Sequence, residues 1–174
     1  MMTKLAAALS LVLQVLAPNV ETGRVDAIAS DIVEVVVKDD KSDEGLPMEK
    51  TEAASMLAAA IFHESGLRES VETCKSSGDG GRSIGLGQVM VGQNWEGHTK
   101  KEICSNRKLQ LKLALHVLSK CYERTPRSRS VYKCYTSGDA GVDSPVARAE
   151  NATFLKIDKA IKSFLKRREE ISMN

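Results

Sequence analysis

The segment from 53 to 61 (AASMLAAAI) constrains the fold more than any other. Ala53, Ala54, Leu57, Ala58, Ala60 and Ile61 join strong helix propensity to side chains small enough for neighbouring helices to approach closely. The pattern predicts a helix over residues 48–65, with Pro47 at its start, where a missing N–H costs nothing. Aromatic residues supply only 4% of the chain, too few for a sandwich or barrel built on aromatic and β-branched strands. The expected fold class is therefore all-α, with little or no β-structure.

Periodicity supplies the neighbours. Residues 4–17 read as a first helix stopped by Pro18. In a second, Val25, Ile28, Ile32 and Val35 recur at three- or four-residue steps, while Asp26, Asp31, Glu34 and Lys38 fall mostly elsewhere. The charged stretch 38–46 (KDDKSDEGL) reads as a solvated loop. Further on, Leu109, Leu111, Leu113, Leu115 and Leu118 form a buried helix ending near Cys121, and residues 123–130 (ERTPRSRS) a basic turn. A short helix at 131–135 and a turn at 138–141 precede the last helix, for which Ser144 and Pro145 are cap and first residue. A chain of 174 residues suits one globular unit, in which the N-terminal helices of 1–46 pack onto the body at 47–174.

Lys4 and the apolar run 5–17 have the outline of a signal peptide, but Ser10 and Gln14 interrupt the run and no clean small-x-small site follows. The run is also short for a membrane span, so it reads as a retained, buried helix, a cleaved leader being the alternative. Stable membrane insertion is not expected. Cys74, Cys104, Cys121 and Cys134 contain no CxxC pair. They read as two disulfides in an extracytoplasmic, oxidising compartment, with all three pairings open and free core thiols the alternative.

Lys and Arg number 25 against 23 Asp and Glu, and a net charge of +2 does not suit a nucleic-acid binder. Arg124, Arg127, Arg129 and the run 166–168 are at most local patches. His63, His98 and His116 lack the spacing of metal ligands, and there is no P-loop or Ser-His-Asp pattern, so neither metal nor cofactor is expected.

Residues 74–98 hold seven of the 12 glycines, the mark of a backbone shaped around something rather than of a helix. Glu64 opens onto this segment from the end of the small-residue helix, after Ile61 and Phe62. A carboxyl half-buried there would have the raised pKa that a general acid needs at neutral pH. Trp95 lies in the same segment, placed either to stack on a bound ligand or to plug the loop.

Three motifs stand in order: Glu64-Ser65-Gly66, Gly85-Leu86-Gly87-Gln88-Val89, and CYTSG around Tyr135. Over residues 48–148 the chain resembles the soluble lytic transglycosylases and goose-type lysozymes, whose motifs read ESG or ESH, GLMQV and AYNAG. The resemblance implies a lysozyme-like helical domain whose glycine-rich loop lines the active site. It implies cleavage of peptidoglycan between N-acetylmuramic acid and N-acetylglucosamine, with Glu64 as the acid. Ser65, Gln88 and Tyr135 would be polar groups near the acid or the sugar, and the glycines flanking Leu86, Gly85 among them, would let backbone approach a ring. Leu86 also reads as a core plug beneath the loop. Asp79, seven residues before Leu86, matches a goose-type aspartate and is the candidate second carboxylate. Gly87 stands where Met is usual, Thr136 where Asn is usual, and Met90 where the goose type has a further Asp. The expected product is the 1,6-anhydro end of a lytic transglycosylase, the alternatives being an Asp79-assisted hydrolase and a non-catalytic glycan-binding protein of a virion or secretion machine. Expected partners are peptidoglycan glycan strands and, depending on the setting, phage virion or secretion-machine proteins, with no nucleic acid.

Overall fold

A computed structural model describes residues 2–39, 45–90, 92, 97–125 and 127–172. The fold is all-α. Helices α1 (Met2–Leu16) and α2 (Thr22–Asp39) form a hairpin, and α3 (Lys50–Ser65) and the short α4 (Glu69–Glu72) follow. A small antiparallel pair, β1 (Ser83–Ile84) and β2 (Val89–Met90), is joined by the turn at 85–88. Then come α5 (Lys100–Cys104), α6 (Arg107–Arg124), α7 (Ser128–Ser137) and α8 (Pro145–Ser172).

Helix α3 is the axis. Every residue from Ala53 to Ile61 is fully buried, because α8, α2 and α6 pack around it with α1 in lighter contact. Only a helix apolar almost all round tolerates this, and its one polar member, Ser55, donates its hydroxyl to Thr51 O at 2.7 Å. One continuous core runs from Leu5 in α1 to Ile161 in α8, so α1 and α2 share it with the rest of the chain. The two polar residues that interrupt the first apolar run face α2: Ser10 donates to the Asp26 carboxylate, and the Gln14 amide reaches Ser10 at 3.0 Å and Asp26 at 3.1 Å.

Charge and sulfur hold the side that supports the loop. Glu72 accepts from Arg24 at 2.5 Å and Arg107 at 2.9 Å, and Arg107 also reaches Asp31 at 3.1 Å, so α2, α4 and α6 share one network. Disulfide Cys74–Cys104 ties the two ends of the glycine-rich segment together, and Cys121–Cys134 ties α6 to α7.

Three elements depart from the sequence reading. Helix α7 spans ten residues and begins inside the expected basic turn, where Arg127 O accepts from Ser130 N–H at 2.8 Å and Val131 N–H at 3.0 Å. Helices α4 and α5 are too short to show periodicity. Thr99 nevertheless caps α5 in a reciprocal box with Glu102. Part of the charged loop, residues 40–44, and Trp95 lie outside the described residues. Among the described residues no helix is long and apolar enough to cross a membrane.

Candidate active site

The end of α3 is locked so that Glu64 has one direction to face. Gly66 adopts φ +58°, and its N–H closes the helix on Phe62 O at 2.8 Å. Ser65 is fully buried; its hydroxyl donates to Ile61 O at 2.5 Å and accepts from Leu67 N–H at 3.1 Å. It secures the helix end and does not line the cleft, whatever the motif order implied about a sugar contact. Glu64 lines a cleft of about 480 Å³. One wall is the segment from Gly78 to Met90, and the other is made by Val117, Lys120, Cys121 and Arg124 of α6 with Cys134 to Gly138 of α7 and its end.

The loop sits tightly on these helices, and its glycines follow from that. A Cβ on Gly87 would stand 2.6 Å from Ala114 Cβ and 2.9 Å from Tyr135 Oη, which leaves no room for the Met that the resemblance would place there. Gly85 has φ +73°, and a Cβ there would press Gln110 at 2.8 Å. Gln110 is the buried peg beneath the turn. Its Oε1 accepts from Leu86 N–H at 2.8 Å, while its amide donates to Glu72 O and Ile103 O, both at 2.8 Å. Leu86 is fully buried, so its side chain plugs the core rather than the cleft. Tyr135 closes the loop onto α7 by donating to Gly87 O at 2.6 Å. Gln88 lines the cleft with φ +44° and donates to Gly85 O at 2.9 Å.

Asp79 is exposed, lines the same cleft and accepts from the Ser83 hydroxyl at 2.9 Å. Structure thus brings Glu64, Asp79, Gln88 and Tyr135 together, and leaves Ser65, Gly85 and Leu86 beneath the surface. Thr136 also lines the cleft, although its hydroxyl bonds back to Tyr132 O at 2.9 Å.

The electrostatics single out Glu64. Burial strips water from its charged form and the Asp79 charge adds to the effect, so its pKa is pushed up to about 7. A second carboxyl, Glu150 of α8, was not singled out by the sequence. It is fully buried, and neither carboxyl oxygen has a hydrogen-bond partner among the described residues. Burial, and after it the charge of Glu64, pushes its pKa up to about 9, so it stays protonated at neutral pH. Tyr132 and Tyr135, whose hydroxyls are raised well above the ordinary range chiefly by burial, also sense Glu150, and Tyr135 senses Glu64. A signal for Glu150 was present: Ala147, Glu150, Phe154, Ile157 and Ile161 form a buried stripe at alternating three- and four-residue steps with one carboxyl in it.

His63 is held at 2.7 Å from Thr153 Oγ1, with its pKa lowered by burial. Among the described residues no three His, Cys, Asp or Glu side chains gather in a way that could hold a metal. No family model, no curated protein and no solved structure matches the chain.

Proposed function

We propose that this protein cleaves the glycan strand of peptidoglycan between N-acetylmuramic acid and N-acetylglucosamine, with Glu64 as general acid. The observation that carries the reading is a half-buried carboxyl with a pKa of about 7 lining a cleft that the glycine-rich segment walls on one side. At pH 7 such a group holds its proton in about half of the molecules, against roughly 0.3% for an ordinary glutamate, a gain of roughly 150-fold in available acid. The order of the three motifs supports the same substrate.

In the proposed reaction Glu64 gives its proton to the glycosidic oxygen as the C1–O bond breaks. The resulting carboxylate then takes the proton of the muramic acid C6 hydroxyl, whose oxygen closes on C1 to form a 1,6-anhydro ring. Atoms and charge balance without water, and Glu64 ends as it began. Glu150 cannot serve as the base near neutral pH, because it is already protonated.

Asp79 favours a second reading. It lines the cleft and its charge acts on Glu64, as a water-holding carboxylate of a hydrolase would. Mass spectrometry of digested sacculi separates the two: anhydromuropeptides support ring closure, and reducing-end muramic acid supports the hydrolase. Undigested sacculi across pH 5 to 8 would leave only a non-catalytic glycan binder. The two disulfides suit an oxidising setting, such as a secreted or virion-borne enzyme.

A further inference from the structure

The outer wall of the cleft contains a feature that general acid catalysis does not use. Along the last two turns of α6, Val117, Lys120, Cys121 and Arg124 fall on one helical face, and all four line the cleft. Lys120 and Arg124 are four residues apart and exposed, and neither has a carboxylate partner among the described residues. Cations on the neighbouring helices are differently placed. Arg129, Lys133 and Arg148 share Asp143 at 2.7, 3.8 and 3.0 Å. Across the cleft the Asp79 charge remains and accepts only the Ser83 hydroxyl, and among the described residues no salt bridge joins Asp79 or Glu64 to Lys120 or Arg124. Two positive charges therefore face the substrate space without a salt-bridge partner.

A neutral sugar polymer gives such a pair nothing to bind. In peptidoglycan, however, every second sugar carries a 3-O-lactyl group that ends either in its own carboxylate or in a peptide stem bearing carboxylates. We propose that Lys120 and Arg124 form a subsite for the carboxylate borne on this muramic acid substituent, and so select peptidoglycan over uncharged N-acetylglucosamine polymers. The inference rests on the glycan-cleaving reading of the cleft and names the part of the substrate that the α6 wall recognises. The cations sit on a helix fixed to α7 by Cys121–Cys134, so the backbone needs no ordering on binding and only the two side chains' own rotamers are lost.

The test is calorimetric titration of the Glu64→Gln protein, with and without Lys120→Gln and Arg124→Gln. The probes are a disaccharide-tripeptide muropeptide, the same disaccharide with a free lactyl group, chitotetraose, and the tripeptide alone. Exposed ion pairs contribute little singly, so the double substitution should weaken muropeptide binding about 3- to 30-fold and leave chitotetraose unchanged. Raising salt to about 0.5 M should reproduce the loss in the unsubstituted wall, because it screens exposed charge. Loss that persists on the free-lactyl disaccharide assigns the pair to the lactyl carboxylate, and loss confined to the muropeptide assigns it to the stem. Unchanged muropeptide affinity, or an equal loss on chitotetraose, overturns the proposal. Tripeptide binding as tight as that of the whole muropeptide would keep the cation pair but remove the glycan reading of the cleft.

Discussion

Replacing Glu150 with Gln should stabilise the protein, and by an amount that depends on pH in a defined way. In the folded chain the Glu150 pKa stands at about 9 against an ordinary value of 4.5. Folding therefore holds a proton that the unfolded chain releases. Stability from this group is fully present below pH 4.5 and falls as pH rises, by up to about 1.4 kcal/mol per unit, until pH passes 9. At pH 7 the accumulated penalty is about 3 kcal/mol. Gln has the same shape and does not titrate, so the substitution removes the penalty. With an unfolding entropy of about 2.1 cal/mol/K per residue over 174 residues, 1 kcal/mol corresponds to about 2.7 °C, and the pH-dependent part of the gain at pH 7 is about 8 °C. A buried amide without partners adds a destabilising offset of about 1 to 3 kcal/mol, but that offset is independent of pH. Glu64 titrates in both proteins and drops out of the comparison. The quantity to measure is the difference in melting temperature between the two proteins from pH 4 to pH 8. It should widen in favour of Gln as pH rises. Curves that run parallel across that range would refute the buried, neutral Glu150.

The same reasoning extends to the cleft. Asp79→Asn removes a charge that raises the Glu64 pKa, so the alkaline limb of a pH–activity profile should move to lower pH while activity near pH 6 falls only modestly; loss at every pH would instead assign Asp79 to holding water. Cys121→Ser with Cys134→Ser opens a bridge across 13 residues and should cost about 3 kcal/mol, or about 8 °C in melting temperature; an unchanged melting temperature would show that the bridge does not constrain the chain. Gly87→Ala forces a methyl against Ala114 and Tyr135, and urea unfolding should show a loss of about 1 to 3 kcal/mol; equal stability would mean the loop stands off the helices.

How much of this was legible in the sequence depends on the length and strength of each pattern. Helices α2, α3 and α6 are long enough for apolar spacing to declare them, and α8 was declared by its start: the cap at Ser144 holds as read, its hydroxyl accepting from Ala147 N–H at 3.0 Å. Helices α4 and α5 escape because four or five residues complete little more than one turn, and α7 starts early because polar residues at 128–130 carry no apolar phase. Two disulfides were expected, but spacing could not choose among three pairings, since that choice depends on how α5, α6 and α7 are packed. Glu64, Asp79, Gln88 and Tyr135 converge because motif order tracks how the helices assemble. Ser65 and Leu86 show its limit, because each serves the backbone that shapes the cleft and points away from it. Glu150 was hidden for the opposite reason: a charged residue name suggests solvent, and only its position in an apolar stripe reveals burial.

The central claim is that a proton from Glu64 breaks the glycan strand, and the most direct measurement compares release of soluble muropeptides from purified sacculi by the protein and by its Glu64→Gln form at pH 6 to 7. Gln keeps the side chain's shape but has no proton to deliver, so the rate should fall by about 10² to 10⁴ while the circular dichroism spectrum is unchanged. Muropeptide release at the original rate by the Gln form would contradict the account.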